Sequence, residues 1–208
     1  PSLVGSEMCI RDRDKAIPKE LPLPDVEEVM AATRRWLERA VIGLNLCPFA
    51  KAVHVKNQIH YVVYEGDDPA EWLTQLRQEL LDLAATAPEV RDTTLLMAPH
   101  CLPDFLEFND FLDRADRVLR KTKLDGVLQI ASFHPRFQFA DTEPDDIGNY
   151  TNRAPFPTLH LLREDSLDRA VQAFPQAESI FEKNIETLQQ LGHGGWEALG
   201  LQAPKNTP

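Results

Sequence analysis

The stretch Gly126–Leu162, GVLQIASFHPRFQFADTEPDDIGNYTNRAPFPTLHLL, contains the features that decide the fold. It opens with a β-rich run, Gly126–Phe133, and closes with another, Thr158–Leu162. The residues between them, 134–157, show no sustained helical period. Parallel strands need a long and usually helical crossover, whereas a strand that runs back antiparallel needs none. The stretch therefore predicts that the last strand is antiparallel to the one before it.

Upstream of this stretch, predicted helices alternate with predicted strands. Helices are expected after Asp25, after Asp68 and after Pro103, and strands at Ile59–Tyr64 and Thr93–Ala98. Alternation of this kind is typical of parallel strands joined by helices. Two further helices follow the last strand, and the second should end at Gly192. We predict an α/β fold with a mixed, mostly parallel sheet of about four strands, flanking helices, an antiparallel last strand and two C-terminal helices.

Three segments are expected along the chain. In residues 1–24, the opening PSLVGSEMCIRDR resembles a translated sequencing-library adapter, a non-native scar, and a Pro-rich extended leader follows it. Residues 25–199 should form a single α/β domain. Residues 200–208 should be a flexible tail.

Charge and cysteine content limit the partners and the compartment. The chain has 208 residues, with 22 basic against 33 acidic side chains and a net charge of −11, so nucleic acid is not expected as a partner. The longest mostly apolar run, Ala40–Ala50, is interrupted twice and is too short to span a membrane. None of the cysteines stands in a CxxC spacing, which favours a reducing, cytoplasmic setting. The oligomeric state stays open.

Polar residues are concentrated in the loop 134–157. Carboxyl ends of parallel strands gather ligands, and the loop starts at such an end. His134 is our candidate catalytic acid or base, because the pKa of histidine lies near neutrality. Five residues could bind a carboxylate or phosphate through their donors: Arg136, Asn149, Thr151, Asn152 and Arg153. Alternatively, these side chains satisfy backbone carbonyls of an irregular loop.

Four residues elsewhere are possible additions to the site. Cys47 precedes Pro48 where the first helix ends, so activation by a helix dipole is not expected and a buried structural cysteine is favoured. His100 adjoins Cys101, which would make that thiol a nucleophile only if the two side chains met. His160 lies inside the last strand, on the face opposite Leu159, and Arg163 ends that strand.

Cofactor motifs give little guidance. No Gly-rich dinucleotide loop, Walker loop or nucleophile elbow occurs, so no nucleotide cofactor is indicated. A divalent metal could be held by His134, His160 and an acid from the long loop, but no short-range His spacing supports that site. The leading hypothesis is an enzyme that acts on a small anionic metabolite through the loop 134–157. The alternatives are a non-catalytic module that binds a small ligand or a protein, and a metal-dependent hydrolase.

Four blocks of the chain resemble a known family. They are VIGLNLCPFAKAV at Val41–Val53, DTTLLMAP at Asp92–Pro99, ASFHPRFQFAD at Ala131–Asp141 and NYTNRAPFPTLHLLRE at Asn149–Glu164. They resemble the family called domain of unknown function 1415, which occurs in bacteria and plants, and the resemblance extends over about Asp25–Trp196. The chain departs from the family pattern at Ala154 and Phe156, where Ser and Tyr are expected. The family has no assigned activity, so the resemblance implies one intact domain and no mechanism.

Overall fold

The computed structural model describes residues 24–173 and 179–201. The predicted adapter-like scar and most of the leader, residues 1–23, lie outside the described residues, as do residues 174–178 and 202–208. The first helix, α1 (Val26–Trp36), begins as the sequence predicts. The Asp25 carboxylate accepts a hydrogen bond from the Glu28 amide at 2.8 Å, and the Glu28 side chain accepts one from the Asp25 amide at 3.3 Å. The chain continues through a π-helical segment, Leu37–Ile42.

The remaining helices and strands follow the predicted order, with two additions. They are α2 (Ala50–Val55), β1 (Ile59–Val63), α3 (Pro69–Ala85), β2 (Thr93–Met97), α4 (Phe105–Lys121), β3 (Leu128–Phe133), a 3₁₀ helix (Ile147–Asn152), β4 (Thr158–Arg163), α5 (Glu164–Ala173) and α6 (Ile180–Ala198). The additions are α2 and the 3₁₀ helix. In α6 the backbone leaves the helical region at Gly192, where φ is 64°, but the helix does not end there as predicted: it is kinked at Gly192 and continues to Ala198.

The four strands form one sheet in the order β1-β2-β4-β3. β1 and β2 are parallel, and β4 pairs antiparallel with both β2 and β3. The α/β class, the antiparallel last strand and the two C-terminal helices are confirmed. Three of the four strands run in the same direction, although only one of the three ladders is parallel, because β4 is inserted between β2 and β3.

The two faces of the sheet are covered differently. Helices α3 and α4 pack on one face, where Leu159 and Leu161 of β4 join a large buried cluster around Trp72. On the other face, α1 covers β1 and β2 through Val29 and Ala32. Side chains of a strand alternate between faces, so His160 points away from α3 and α4. The larger of the two cavities described below opens on the β4 part of the second face.

Candidate functional site

Asn149 of the long loop is engaged in holding the loop together. Its side chain is fully buried. The carbonyl oxygen accepts hydrogen bonds from the Phe139 amide and the Thr142 hydroxyl, both at 2.9 Å, and the amide nitrogen donates to the Glu143 carbonyl at 2.8 Å. These three bonds close the segment 139–143 onto the 3₁₀ helix. The Asn149 side chain is therefore committed to the loop.

The neighbours of Asn149 are also largely occupied by the backbone. Arg153 donates to the Phe137 carbonyl at 3.2 Å and to the Pro144 carbonyl at 2.6 Å, and its guanidinium lies 4.1 Å from the centroid of the Tyr150 ring. Asn152 donates to the Ser132 carbonyl at 3.3 Å. The buried Thr151 hydroxyl has no hydrogen-bond partner among the described residues. Most donors expected to bind an anion thus satisfy carbonyls, the alternative left open by the sequence.

His134 lies in the core and not at the mouth of a pocket. Its Nε2 donates to the Leu102 carbonyl at 3.1 Å, and its Nδ1 accepts from the Arg136 amide at 3.0 Å, so the ring is the neutral Nε2–H tautomer. Burial lowers its pKa to about 4. The rings of Phe105 and Phe108 flank it. Neither nitrogen is open to a substrate here, so the predicted acid–base role has no geometric support.

Arg136 binds the loop next to His134. Its guanidinium donates to the Pro103 carbonyl and lies 3.9 Å from the Asp104 carboxylate. The side chain is 63% exposed. Like Arg153, it stabilises a connection between loops. The two arginines do not meet in one cavity, because only Arg153 lines one of the two described below.

His134 and His160 cannot share a metal ion in this fold. His134 packs against Phe108 on the face of α3 and α4, whereas His160 lies on the opposite face of the sheet. Within residues 24–173 and 179–201, no three His, Cys, Asp or Glu side chains are grouped as metal ligands would be. The two-histidine metal site considered from the sequence is therefore wrong.

The larger cavity, which we call the sheet-face cavity, has a volume of about 580 Å³. It lies between β4 and β2 on one side and α1, α2 and α5 on the other. Most of its wall is apolar, and the main contributors are Trp36, Leu37, Val41, Phe49, Ile59, Leu95, Phe133 and Leu162. Cavities of this size and character are typical ligand sites. Three of the additional candidates, Cys47, His160 and Arg163, line it together.

His160 presents an unused nitrogen on the wall of this cavity. The Thr93 hydroxyl lies 2.6 Å from the Leu161 carbonyl and 2.7 Å from His160 Nε2. Because a carbonyl can only accept, the hydroxyl donates to it and receives the Nε2–H of His160. Nδ1 is therefore a bare acceptor, and it has no hydrogen-bond partner within the described part of the chain. Burial lowers the pKa of His160 to about 4, so the ring is neutral at pH 7.

Cys47 differs from the expectation in its local structure. Helix α2 begins three residues after it, so the cysteine precedes a helix as well as ending one, and the amides of Phe49 and Ala50 donate hydrogen bonds to its sulfur. Those bonds lower the thiol pKa, but burial outweighs them and the net effect is a raised pKa. The group is a thiol at neutral pH, in agreement with a structural cysteine.

Arg163 and the mouth of the cavity carry the remaining charge. Arg163 donates to the carbonyls of Leu83, Thr86 and Arg91 at 2.5–3.4 Å, which caps the end of α3. Burial lowers its pKa. Five charged side chains line the cavity: Lys56, Arg163, Arg169, Glu89 and Asp92. Among the described residues none of these three cations makes an ion pair. Arg169 donates a hydrogen bond to the Ser166 hydroxyl.

His100 and Cys101 do not form an activated pair. Cys101 is 1% exposed, and burial, followed by the charges of Asp67 and Asp68, raises its pKa to about 12. His100 Nδ1 is buried without a partner among the described residues. A thiol with so high a pKa is not a nucleophile at neutral pH. The two residues lie at the edge of the sheet remote from the sheet-face cavity.

The second cavity, which we call the Arg153 notch, is about 310 Å³. Its walls include Trp36, Tyr150 and Trp196, with Arg153 and Glu197 as its charged groups. Trp36 lines both cavities. The residues predicted to form one site are thus divided: Arg153 belongs to the notch, His160 to the sheet-face cavity, and His134 and Arg136 to neither.

The sheet-face cavity was not predicted from the sequence, because the predicted site was placed at the opposite end of the strands. The cavity is centred near the start of β2 and the end of β4, whereas ligands of parallel sheets usually gather at carboxyl ends. One signal was present: His160 is polar and alternates with Leu159 and Leu161 on a central strand. A polar side chain on the face opposite two core residues either pairs with another polar group or lines a cavity. His160 does both, since it pairs with Thr93 and lines the sheet-face cavity.

The fold and this cavity define an α/β protein with a mixed four-stranded sheet and a mostly apolar pocket on one face of that sheet. The chain matches the family described as "Protein of unknown function (DUF1415)" over residues 28–198, and it belongs to that family. No curated protein and no solved structure matches the chain. No helix of the described residues is long and apolar enough to cross a membrane.

Proposed function

We propose that this protein binds a small amphiphilic anion in the sheet-face cavity. The apolar body of the ligand fills the cavity, a hydrogen-bond donor of the ligand faces His160 Nδ1, and its anionic group lies at the mouth near Lys56 and Arg169. The observation that carries the proposal is the bare nitrogen of His160 on the wall of an apolar cavity of about 580 Å³. Nδ1 is not among the buried polar atoms that lack a partner, so it is accessible from the cavity, and a ligand donor that meets it there adds a hydrogen bond inside a mostly apolar site.

Charge favours an anion over a cation at the mouth. Three cationic and two anionic side chains line the cavity, in a chain whose net charge is −11. The Asp92 carboxylate accepts a hydrogen bond from Ser166 at 2.6 Å, and Arg163 is held by carbonyls. Of the three cations that line the cavity, Lys56 and Arg169 make the fewest hydrogen bonds to described residues. We therefore retain a small anion as the proposed ligand, and we propose that it binds in the sheet-face cavity and not at the loop 134–157.

Two fluorescent probes of nearly the same shape test the proposal. The first, 2-anilinonaphthalene-6-sulfonate, has an apolar body, a free N–H donor and an anionic group at the far end of the ring system. The second, N-phenyl-2-naphthylamine, lacks only the sulfonate. We expect both to bind, and the anionic probe to bind more tightly. Replacing Lys56 and Arg169 by Gln should weaken the anionic probe about fivefold and leave the neutral one unchanged.

A pair of tryptophan substitutions on α5 locates the bound probe. Ala170 lines the cavity, and Ala170→Trp should fill it and reduce binding more than tenfold. Val171 is 48% exposed and does not line the cavity, so Val171→Trp is the matched control and should bind as the wild type does. Unchanged binding by a folded Ala170→Trp protein would contradict the proposal. Circular dichroism and cooperative thermal unfolding establish that each variant is folded.

The Thr93–His160 pair also favours a second candidate, an acid–base enzyme that acts on such an amphiphile. A histidine whose one nitrogen is fixed by a hydroxyl and whose other nitrogen is bare is arranged as a general base. Wild type and His160→Gln would be incubated with a panel of amphiphilic acids and esters, and products followed by mass spectrometry. Turnover that is lost in His160→Gln supports the enzyme. Binding without turnover supports a binding protein.

A further inference from the structure

The Arg153 notch contains two opposite charges that do not neutralise each other. Arg153 and Glu197 both line this cavity of about 310 Å³. No carboxylate of the described residues lies within 4.0 Å of the Arg153 guanidinium. Opposite charges that share a small cavity normally pair unless the fold holds them apart. The notch therefore offers a separated positive and negative group to whatever enters it.

The position of Arg153 is fixed, and part of its hydrogen-bonding capacity is unused. Bonds from Nε to Phe137 and from Nη2 to Pro144 hold the guanidinium against the Tyr150 ring. Its Nη1 makes no hydrogen bond within the described residues. A guanidinium that is pre-oriented in this way binds a carboxylate at a small entropic cost. The two carbonyl bonds that occupy the loop thus also prepare an anion-binding group.

The walls of the notch suit an ammonium group at the other end. Trp36 and Trp196 contribute the aromatic surface for this group, because Tyr150 already carries the Arg153 guanidinium on its ring. Aromatic faces attract cations, and the Glu197 carboxylate adds the opposite charge. A simple anion would be repelled by Glu197 and a simple cation by Arg153. A dipolar molecule satisfies both groups at once.

We propose that the Arg153 notch binds a zwitterion of the size of an amino acid, with the carboxylate on Arg153 and the ammonium near Glu197 and the aromatic walls. The volume of the notch lies at the lower end of the range for ligand pockets, which suits a molecule of this size. The inference does not depend on the sheet-face cavity, because Trp36 alone is common to the two.

Three leucine compounds separate the charges of the ligand. L-Leucine is the zwitterion, N-acetyl-L-leucine carries only the carboxylate, and L-leucinamide carries only the ammonium. Each would be titrated into the full chain labelled with ¹⁵N, and the indole N–H signals of Trp36 and Trp196 followed by NMR. Trp72, buried in the other cluster, is the internal control. We expect saturable shifts of Trp36 and Trp196 with leucine, and at least tenfold weaker binding of both derivatives.

Two variants test the charges of the protein. Glu197 is exposed, so Glu197→Gln should fold normally. It should weaken leucine several-fold while strengthening N-acetyl-leucine, which reverses the preference. Arg153→Gln should abolish leucine binding; because that variant also loses two loop bonds, Glu197→Gln is the decisive one. Equal binding of leucine and N-acetyl-leucine by the wild type, or no saturable shift with any compound, would overturn the inference.

Discussion

The long loop and the sheet-face cavity differ in how their polar groups are used. The loop holds most of the polar residues that attract attention in the sequence, yet Asn149 and His134 have their hydrogen-bonding atoms paired inside the protein. The wall of the cavity is mostly apolar, yet one polar atom on it, His160 Nδ1, is unpaired among the described residues and accessible from the cavity. Function depends on which donors and acceptors remain available, and the density of polar residues in a sequence does not report that.

The largest expected difference concerns stability. Asn149→Ala removes three hydrogen bonds from a fully buried site and leaves backbone groups of the loop unpaired, so the free energy of unfolding should fall by about 3–4 kcal/mol. His160→Phe leaves the Thr93 hydroxyl its carbonyl acceptor and should change stability at pH 7 by about 1 kcal/mol or less. Urea unfolding measures both. Similar losses in the two variants would remove the distinction between loop and cavity.

The two described cysteines should differ in reactivity by about a hundredfold. Both thiols have a raised pKa, but Cys47 lines the cavity while Cys101 is 1% exposed in the core. Labelling of Cys101 requires the fold to open, and labelling of Cys47 does not. In a Cys9→Ser background, maleimide labelling followed by peptide mass spectrometry should modify Cys47 first. Protection of Cys47 by the anionic probe is also expected, and labelling at equal rates would contradict the assignment.

The pH dependence of stability should reveal the buried neutral state of His160. Its pKa is about 4 in the folded protein against about 6.5 when unfolded. The unfolded chain therefore takes up the proton first, so the stability is fully present above pH 6.5 and is lost as the pH falls toward 4. Between pH 7 and pH 5 the wild type should lose about 2 kcal/mol more than His160→Phe. Parallel pH profiles for the two proteins would show that His160 is not held neutral.

The smallest expected effect comes from Thr93→Val. This nearly isosteric change removes the oxygen that accepts the Nε2–H of His160, so the imidazole no longer has a preferred tautomer. Binding of the anionic probe should weaken about fivefold, which corresponds to about 1 kcal/mol. Thr158→Val, on the same face of the neighbouring strand but outside the cavity lining, is the control and should leave binding unchanged.

Much of the fold could be predicted because it depends on local sequence patterns. The Asp25–Glu28 capping box and the Asp68-Pro69 helix start depend on neighbours in the chain, and both are confirmed, whereas Gly192 kinks α6 and does not end it. The antiparallel β4 followed from the lack of a crossover helix. The insertion of β4 between β2 and β3 was not predicted, because strand order depends on pairing energies over long sequence separations.

The site was less predictable for the same reason. Whether His134 or His160 is open to a ligand depends on partners that are distant in the chain, Leu102 for one and Thr93 for the other. Helix α2, which forms one wall of the cavity, is six residues long and is too short to show a helical period. A sequence can therefore nominate both histidines, but the long-range bonds decide between them.

We propose that His160, and not His134, faces the ligand, and ¹⁵N NMR of the histidine side chains distinguishes the two. In the free protein at pH 7 we predict that both rings are neutral Nε2–H tautomers. On titration with 2-anilinonaphthalene-6-sulfonate, the His160 Nδ1 signal should move as that nitrogen accepts a hydrogen bond, and the His134 signals should stay in place. A shift confined to His134, or a charged His160 in the free protein at pH 7, would show that His160 is not the neutral acceptor that faces the ligand.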